Sequence, residues 1–341
     1  MLLQERLSRA AGRLAEPQVR REMLRQMLRI RMVEEEIVRR YPEQEMRCPI
    51  HICIGHEAPP VGVSAHLRRE DKVFSAHRSH GHFLAKGGDL KAMVAELYGR
   101  ATGCALGKGG SQHLVDLDAG FMGSAPILAS TISVGVGVAW AAQRRGEDKV
   151  VAIYFGDGAS EEGAFHEALN FAGVNRLPVV FVCENNLYSV HTPLGVRQPK
   201  GRQIYQLGAA HGLTGLACDG NDADAVWRVA KNAVASARAG GGPVLLEFFT
   251  YRWKEHCGPD EDFGLGYRSR EEFDAWRARC PVANYAARLE ADDVVTGAEF
   301  GAMRKEIGAE IDEAFAFARS SPFPEPDELA RFVYPMPGGA A

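Results

Sequence analysis

Asp157 ends a short apolar run in "VVAIYFGDGASEEG" (Val150 to Gly163), and the chain reads as helical just beyond it. The next apolar run, "LPVVFVCENN", ends in Asn185 and Asn186. A carboxylate and a carboxamide are hard oxygen ligands, suited to Mg²⁺ or Ca²⁺. If the two runs are adjacent strands of a parallel sheet, both groups converge beyond the strand ends, where such sheets bind ligands. Gly156 and Gly158 let a ligand come close to the backbone. The amides of Gly158 and Ala159, at the expected helix start, are placed to hold a phosphate. An aspartate beside a bare phosphate is repulsive, by about 1 kcal/mol per charge pair in water and about 4 near a protein surface. A divalent cation between them reverses the sign, so the pattern predicts a diphosphate and a metal bound together. It is not a P-loop, because no Gly-Lys-Ser/Thr follows, and it lacks the Gly-x-Gly-x-x-Gly dinucleotide fingerprint.

The elements that must position these groups are legible from periodicity. "KVVAIYF", "LPVVFVCENN" and "GPVLLEFFTYR" read as buried strands of a parallel sheet. Between them lie two helical patterns. "SEEGAFHEALNFAGV" puts Phe165, Ala168, Leu169 and Ala172 on one face, and "DADAVWRVAKNAVASARAG" is capped by Asp222. Strand–helix alternation predicts an α/β protein with a mainly parallel sheet between two helical layers. Upstream, Met23, Met27, Ile30, Val33 and Ile37 mark a helix ending near Arg40, and Asp89 caps "DLKAMVAELYG". Beyond Glu271 the pattern is again helical, up to an expected frayed tail, "PMPGGAA". The expected organisation is an α/β domain over residues 46–270, with helical extensions at 1–45 and 271–341.

Bulk properties narrow the function. The 341 residues are 46% apolar and 25% charged, as for a soluble globular chain. A net charge of -4 and no basic stripe argue against nucleic acid. No apolar run of about 18 residues predicts a membrane span. The amino terminus lacks the apolar core of a secretory signal, and Glu5 and Glu16 speak against a transit peptide. Seven scattered cysteines, with no Cys-x-x-Cys pair, read as reduced thiols of a cytoplasmic protein.

The segment "GDGASEEGAFHEALNFAGVNRLPVVFVCENNLYSV" resembles the thiamine-diphosphate motif, and specifically that of the alpha subunit of the decarboxylating component of 2-oxo acid dehydrogenases (pyruvate, acetoin and branched-chain type). "MLRQMLRIRMVEEEI", "HICIGHEAPPVGV", "SAHRSHGHFLAKG", "ELYGRATGCALGKGGSQH", "GVGVAWAAQ" and "EFFTYRW" are similar to that family in the same order, over roughly residues 20–280. The resemblance implies the three-layer α/β/α thiamine-diphosphate-binding fold, in its diphosphate-binding module. It implies Asp157, Asn186 and the Tyr188 carbonyl as Mg²⁺ ligands, and Gly156, Gly158 and Ala159 as the diphosphate cradle. Arg78 matches an arginine that pairs with the diphosphate. His77 stands where the family carries a tyrosine. Pro126 and Leu128 match the backbone contact and the apolar wedge around the aminopyrimidine. His51 matches a substrate-side histidine, and His256 the active-site histidine of a mobile loop.

The same resemblance implies a small 2-oxo acid substrate and a separate beta subunit in an α₂β₂ heterotetramer. The acyl group would pass to a lipoyl carrier on an acyltransferase. The alternative keeps the cofactor and adds the acyl unit to an aldehyde, ketone or keto-sugar. That alternative draws on the loop "KEHCGPDEDFGLGYR", which is longer and more acidic than the family's usual His-Gly-His-Ser form. There Cys257 replaces a serine that some members phosphorylate; it is either a reactive thiol or a small substitute. The run "PDED" reads as a solvated loop. His77, His80 and His82 are too loosely spaced for a zinc motif, and loop-ordering hydrogen bonds are expected for His80. The intact Asp157, Asn186, Arg78 and His256 set argues against a catalytically dead binding subunit.

Overall fold

The computed structural model describes residues 14–331, so the expected frayed tail and the start of the amino-terminal extension lie outside the described residues. In chain order the elements are α1 (Pro17–Arg40), α2 (Ala58–Ser64), β1 (Lys72–Ser75), α3 (His80–Ala85), α4 (Leu90–Leu97), β2 (Phe121–Ser124), α5 (Ser130–Arg144), β3 (Val151–Gly156), α6 (Gly163–Val174) and β4 (Val179–Asn185). A small ribbon follows, β5 (Tyr188–Ser189) and β6 (Thr192–Pro193), then α7 (Leu194–Arg197) and α8 (Leu207–Ala210). The chain closes with β7 (Thr214–Asp219), α9 (Ala223–Arg238), β8 (Val244–Phe249), α10 (Arg270–Arg277), α11 (Pro281–Ala291) and α12 (Gly297–Ser320).

Six strands form one sheet in the order β2-β1-β3-β4-β8-β7, and every pairing in it is parallel. Central β4 is buried at every residue, which requires cover on both faces. Alternation along β3 and β4 supplies it. Val151, Ile153, Phe155, Val179, Phe181 and Cys183 pack into one cluster with α5 and α6. Ala152, Tyr154, Val180 and Val182 join the opposite cluster, which also takes in α1, α9, α11 and α12. The result is a three-layer α/β/α fold in which the terminal helices share the core of the sheet. Register pairs Gly156 with Glu184, so β3 and β4 end level, with Asp157 and Asn186 just beyond.

The helix signals act as expected. Asp89 accepts from the Ala92 amide at 2.8 Å, and Asp222 from Ala225 at 3.2 Å. Departures have local causes. The four-residue strands β1 and β2 are too short to show a period of two in the glycine- and histidine-rich region, and edge strand β7 is only partly buried. The helix expected from Ser160 is interrupted. Asp157–Glu161 form a tight 3₁₀ turn, Glu162 is extended, and α6 starts at Gly163. Among the described residues, no helix is long and apolar enough to cross a membrane. None of the seven cysteines is paired.

Candidate active site

A cavity of about 270 Å³ opens beyond the carboxyl ends of β3 and β4. Its lining includes the residues that the family resemblance assigns to the cofactor and substrate: His51, His77, Arg78, Pro126, Leu128, Gly156, Asp157, Gly158, Ala159, Asn186, Tyr188 and His256; Asn185 does not line it. The first of these comes from a loop held close to β8. Gly55 adopts φ +98, and a Cβ there would lie 2.2 Å from the Tyr251 carbonyl, so only glycine fits.

Asp157 is almost fully buried. Burial raises its carboxyl pKa, and the Arg197 guanidinium pulls it back down. Arg197, at the end of α7, reaches both Asp157 and Glu161. A guanidinium therefore supplies the positive charge that this carboxylate requires. Asn185 and Asn186 divide their work. Asn185 turns inward and donates to Glu247 at 2.7 Å, while Asn186 lines the cavity and accepts from the Tyr188 amide at 3.1 Å. Tyr188 directs its hydroxyl away, to Glu272 at 2.9 Å. Gly156 leaves open space where a side chain would stand, and a Cβ on Gly158 would approach the Ser189 hydroxyl to 2.6 Å.

Arg78 carries the complementary charge. It is buried and donates only to carbonyls, Ile52 at 2.7 Å and His256 at 3.2 Å. Burial and nearby Arg252 lower its pKa to about 10, so it stays cationic at neutral pH. Among the described residues, no carboxylate pairs with it. A buried cation left in this state favours an anionic ligand. The donor set thus fits the inferred pair: carboxylate and carboxamide oxygens for a hard cation, and a free guanidinium beside glycine backbone for a diphosphate.

Three imidazoles line the same cavity. The ring centroids of His51 and His77 are 4.4 Å apart, His51 and His256 5.0 Å, and His77 and His256 5.4 Å. Burial and then the Arg78 charge lower all three: His77 to about 4, His256 to about 3, and His51 further still. All three are neutral at pH 7. Gln112 lies 3.2 Å from His51 Nδ1, which leaves Nε2 as the unengaged nitrogen.

Several contributors were not read from the sequence. Glu184 is buried at the cavity floor beside His82 Nε2 (3.2 Å) and His56 Nδ1 (3.4 Å). Burial alone would raise its carboxyl; the two imidazoles reverse that and hold it down to about 2. Glu184 sits inside the quoted "CENN", so full burial of that strand was the available signal. His80 bridges Glu34 (2.5 Å) and Ser111 (2.7 Å), while His82 meets Ser75 (2.8 Å), so His77, His80 and His82 do not share one metal; the latter two serve other partners.

The acidic run is solvated at Asp260 and Glu261, as expected, and departs from that reading at Asp262. Asp262 is buried and binds Arg252 at 3.1 Å and Arg268 at 2.6 Å, with the Tyr267 hydroxyl also on it. These ion pairs fasten the segment that carries His256. Cys257 is exposed, and partial desolvation and Glu255 raise its pKa, so the thiol is not activated.

A parallel α/β/α sheet whose central strands deliver a buried aspartate and an asparagine to one cavity defines a cofactor-binding class, and the chain belongs to the Dehydrogenase E1 component family, matched over residues 25–327. Within it, the chain is an alpha subunit of the 2-oxo acid dehydrogenase type, a family that works with thiamine diphosphate. It is 36% identical to the alpha subunit of acetoin:2,6-dichlorophenolindophenol oxidoreductase from Bacillus subtilis, covering 92% of each chain. It is 37% identical to the pyruvate dehydrogenase E1 component subunit alpha of Rhizobium meliloti, covering 89% of this chain and 87% of that one. It is 35% identical to the human testis-specific mitochondrial form of that subunit, over 91% of this chain and 78% of that one.

Proposed function

We propose that the chain is the alpha subunit of a thiamine-diphosphate- and Mg²⁺-dependent 2-oxo acid decarboxylase that passes the acyl group to a lipoyl carrier. The carrying observation is the charge arrangement in one cavity: buried Asp157 neutralised by a guanidinium, and buried Arg78 with no carboxylate of its own. Asp157, Asn186 and the Tyr188 carbonyl would hold Mg²⁺. Arg78 and the Gly158 and Ala159 amides would hold the diphosphate, and Leu128 would support the aminopyrimidine. When bound, the cofactor supplies stabilisation of the carbanion left by decarboxylation. His51 and His256 line the cavity as neutral imidazoles suited to proton transfer; Gln112 donates to His51 Nδ1, so His51 Nε2 carries a proton it can give.

The reading includes a separate beta subunit in an α₂β₂ assembly. Asp157 and Glu184 are the only carboxylates lining the cavity among the described residues, and both are engaged. A further acid for the aminopyrimidine must come from elsewhere. On the outer layer made by α5 and α6, Val134 (57% exposed), Val174 (75%) and Trp140 against Phe171, with Ile127 (70%) just before α5, are exposed apolar side chains suited to a partner. The unpaired cysteines support a cytoplasmic location.

The test is decarboxylation of 2-oxo acids by the chain with and without its beta subunit, comparing a lipoyl-domain peptide, a dye and carbonyl acceptors. Acyl transfer to lipoyl only in the presence of the partner is expected. Full activity from the single chain refutes the two-subunit reading. Transfer to aldehyde or ketone instead supports the carboligase alternative, which draws on the divergence of the loop over residues 254–266 from the family's usual form.

A further inference from the structure

His51, His77 and His256 are the one trio among the described residues whose side chains each offer a ligand atom within 4.8 Å of the others. A tetrahedral Zn²⁺ with nitrogen bonds near 2.0–2.1 Å needs ligand nitrogens about 3.3 Å apart. Closing the difference takes movements of roughly an ångström per ring, within reach of imidazole torsions, which are broad. We propose that these three imidazoles form a tri-histidine site for a divalent transition metal of the Zn²⁺ kind, separate in ligand chemistry from the oxygen site at Asp157.

Ligand chemistry and placement carry this. All ligands are nitrogen, which suits Zn²⁺, Co²⁺ or Cu²⁺ and not Mg²⁺. The His51 and His77 ring centroids lie 4.4 Å apart and those of His51 and His256 5.0 Å, all lining one cavity. Gln112 donates its amide to His51 Nδ1; turning that amide over presents its oxygen to Nδ1–H, the outer hydrogen bond that commonly orients an imidazole ligating through Nε2. Arg78 works in the opposite direction, because its charge repels a dication. Its two guanidinium nitrogens are turned to the Ile52 and His256 carbonyls, and an anionic fourth ligand offsets the remainder. Three protein ligands leave a fourth position open to the cavity, where a 2-oxo acid carboxylate or hydroxide fits. His77 is required for the third bond. A bound metal would take the ring nitrogens that His51 and His256 need for proton transfer, so it would act as an inhibitor. Binding itself does not depend on the proposed decarboxylase function; only the inhibition does.

The experiment uses the full chain stripped of metal, titrated with Co²⁺ in excess Mg²⁺, with the visible absorption of Co²⁺ as the readout. The expected result is one bound Co²⁺ with the intense bands of low-coordinate nitrogen ligation, displaced by Zn²⁺ and unaffected by Mg²⁺. His77→Phe, which keeps an aromatic ring and removes the ligand, should weaken Co²⁺ binding by at least about tenfold, and Gln112→Ala by about 10-fold or more. Asp157→Asn should leave the spectrum unchanged. Circular dichroism checks that each variant is folded. A weak six-coordinate spectrum, displacement by Mg²⁺, or an unchanged spectrum in a folded His77→Phe chain overturns the site. Each of these outcomes is independent of the acyl-acceptor assay, so failure here leaves the decarboxylase reading standing.

Discussion

Replacing Arg197 with methionine should make divalent cations bind more tightly. The Arg197 side chain is only 10% exposed and rests on the carboxylate of Asp157, itself 1% exposed. A guanidinium and a divalent cation cannot both occupy that carboxylate closely, so metal binding must displace Arg197. Two unit charges about 4 Å apart interact by about 4 kcal/mol at an effective dielectric near 20. Release into water and the continuing attraction of Glu161 return part of this. A net competition of about 1.5–3 kcal/mol remains, which corresponds to about 10- to 150-fold tighter binding. Methionine keeps the bulk of the stem and removes the charge. Isothermal titration with Mn²⁺ in the presence of inorganic diphosphate gives the affinity, and Asp157→Asn serves as the control without a metal carboxylate. A second readout follows from burial. Without Arg197 the metal-free chain holds Asp157 without its counter-charge, so its melting temperature should fall while the rise on adding Mn²⁺ grows. Unchanged affinity in Arg197→Met would refute the competition. Weaker affinity would show instead that Arg197 helps to hold the anion.

Other expectations follow from the same contacts. Asp262→Ala strips Arg252 and Arg268, both with side chains no more than 1% exposed, of their carboxylate; a loss of about 3–5 kcal/mol is expected, seen as a lower melting temperature and faster tryptic cleavage near Lys254. Glu34→Ala removes acceptors from His80 Nδ1 and the Cys53 amide; a buried donor left alone costs about 1–3 kcal/mol, which a lowered urea midpoint would show. Acid should destabilise the chain through its buried neutral histidines. His77 and His256 hold folded-state pKa values of about 4 and about 3, below an unfolded value near 6.5, so the unfolded chain binds more protons in that interval. Their contribution is complete above about pH 6.5 and is lost as pH falls toward about 4 and then about 3. The acid limb of a melting-temperature profile should flatten in His77→Gln.

What could be read from the sequence divides along the distance over which each feature is determined. The β3 and β4 strands, Asp157 at the end of one and Asn186 at the end of the other, are set by runs of a few residues, and pairing of neighbouring strands follows from parallel topology. Asp89 and Asp222 are likewise local, each capping the next turn of chain. The short strands β1 and β2 carry no such local pattern; pairing to β3 and to each other makes them strands. The counter-charges are less local still. Arg197 reaches Asp157 across 40 positions of sequence because the ribbon Tyr188–Pro193 folds back over the Gly158 turn. Asp262 is drawn out of an acidic run by Arg252 and Arg268, arginines that look like ordinary surface charge in the sequence. The chemistry of a site like this is therefore written at strand ends, where type and spacing suffice. Its control is not: which cation occupies Asp157, and which arginines fix the His256 loop, depend on where distant loops return. That division explains why the cofactor class could be inferred from the strand-end motif and the family resemblance, whereas the mutual proximity of His51, His77 and His256, each singled out separately in the sequence, emerged only when three separate loops were brought to one cavity.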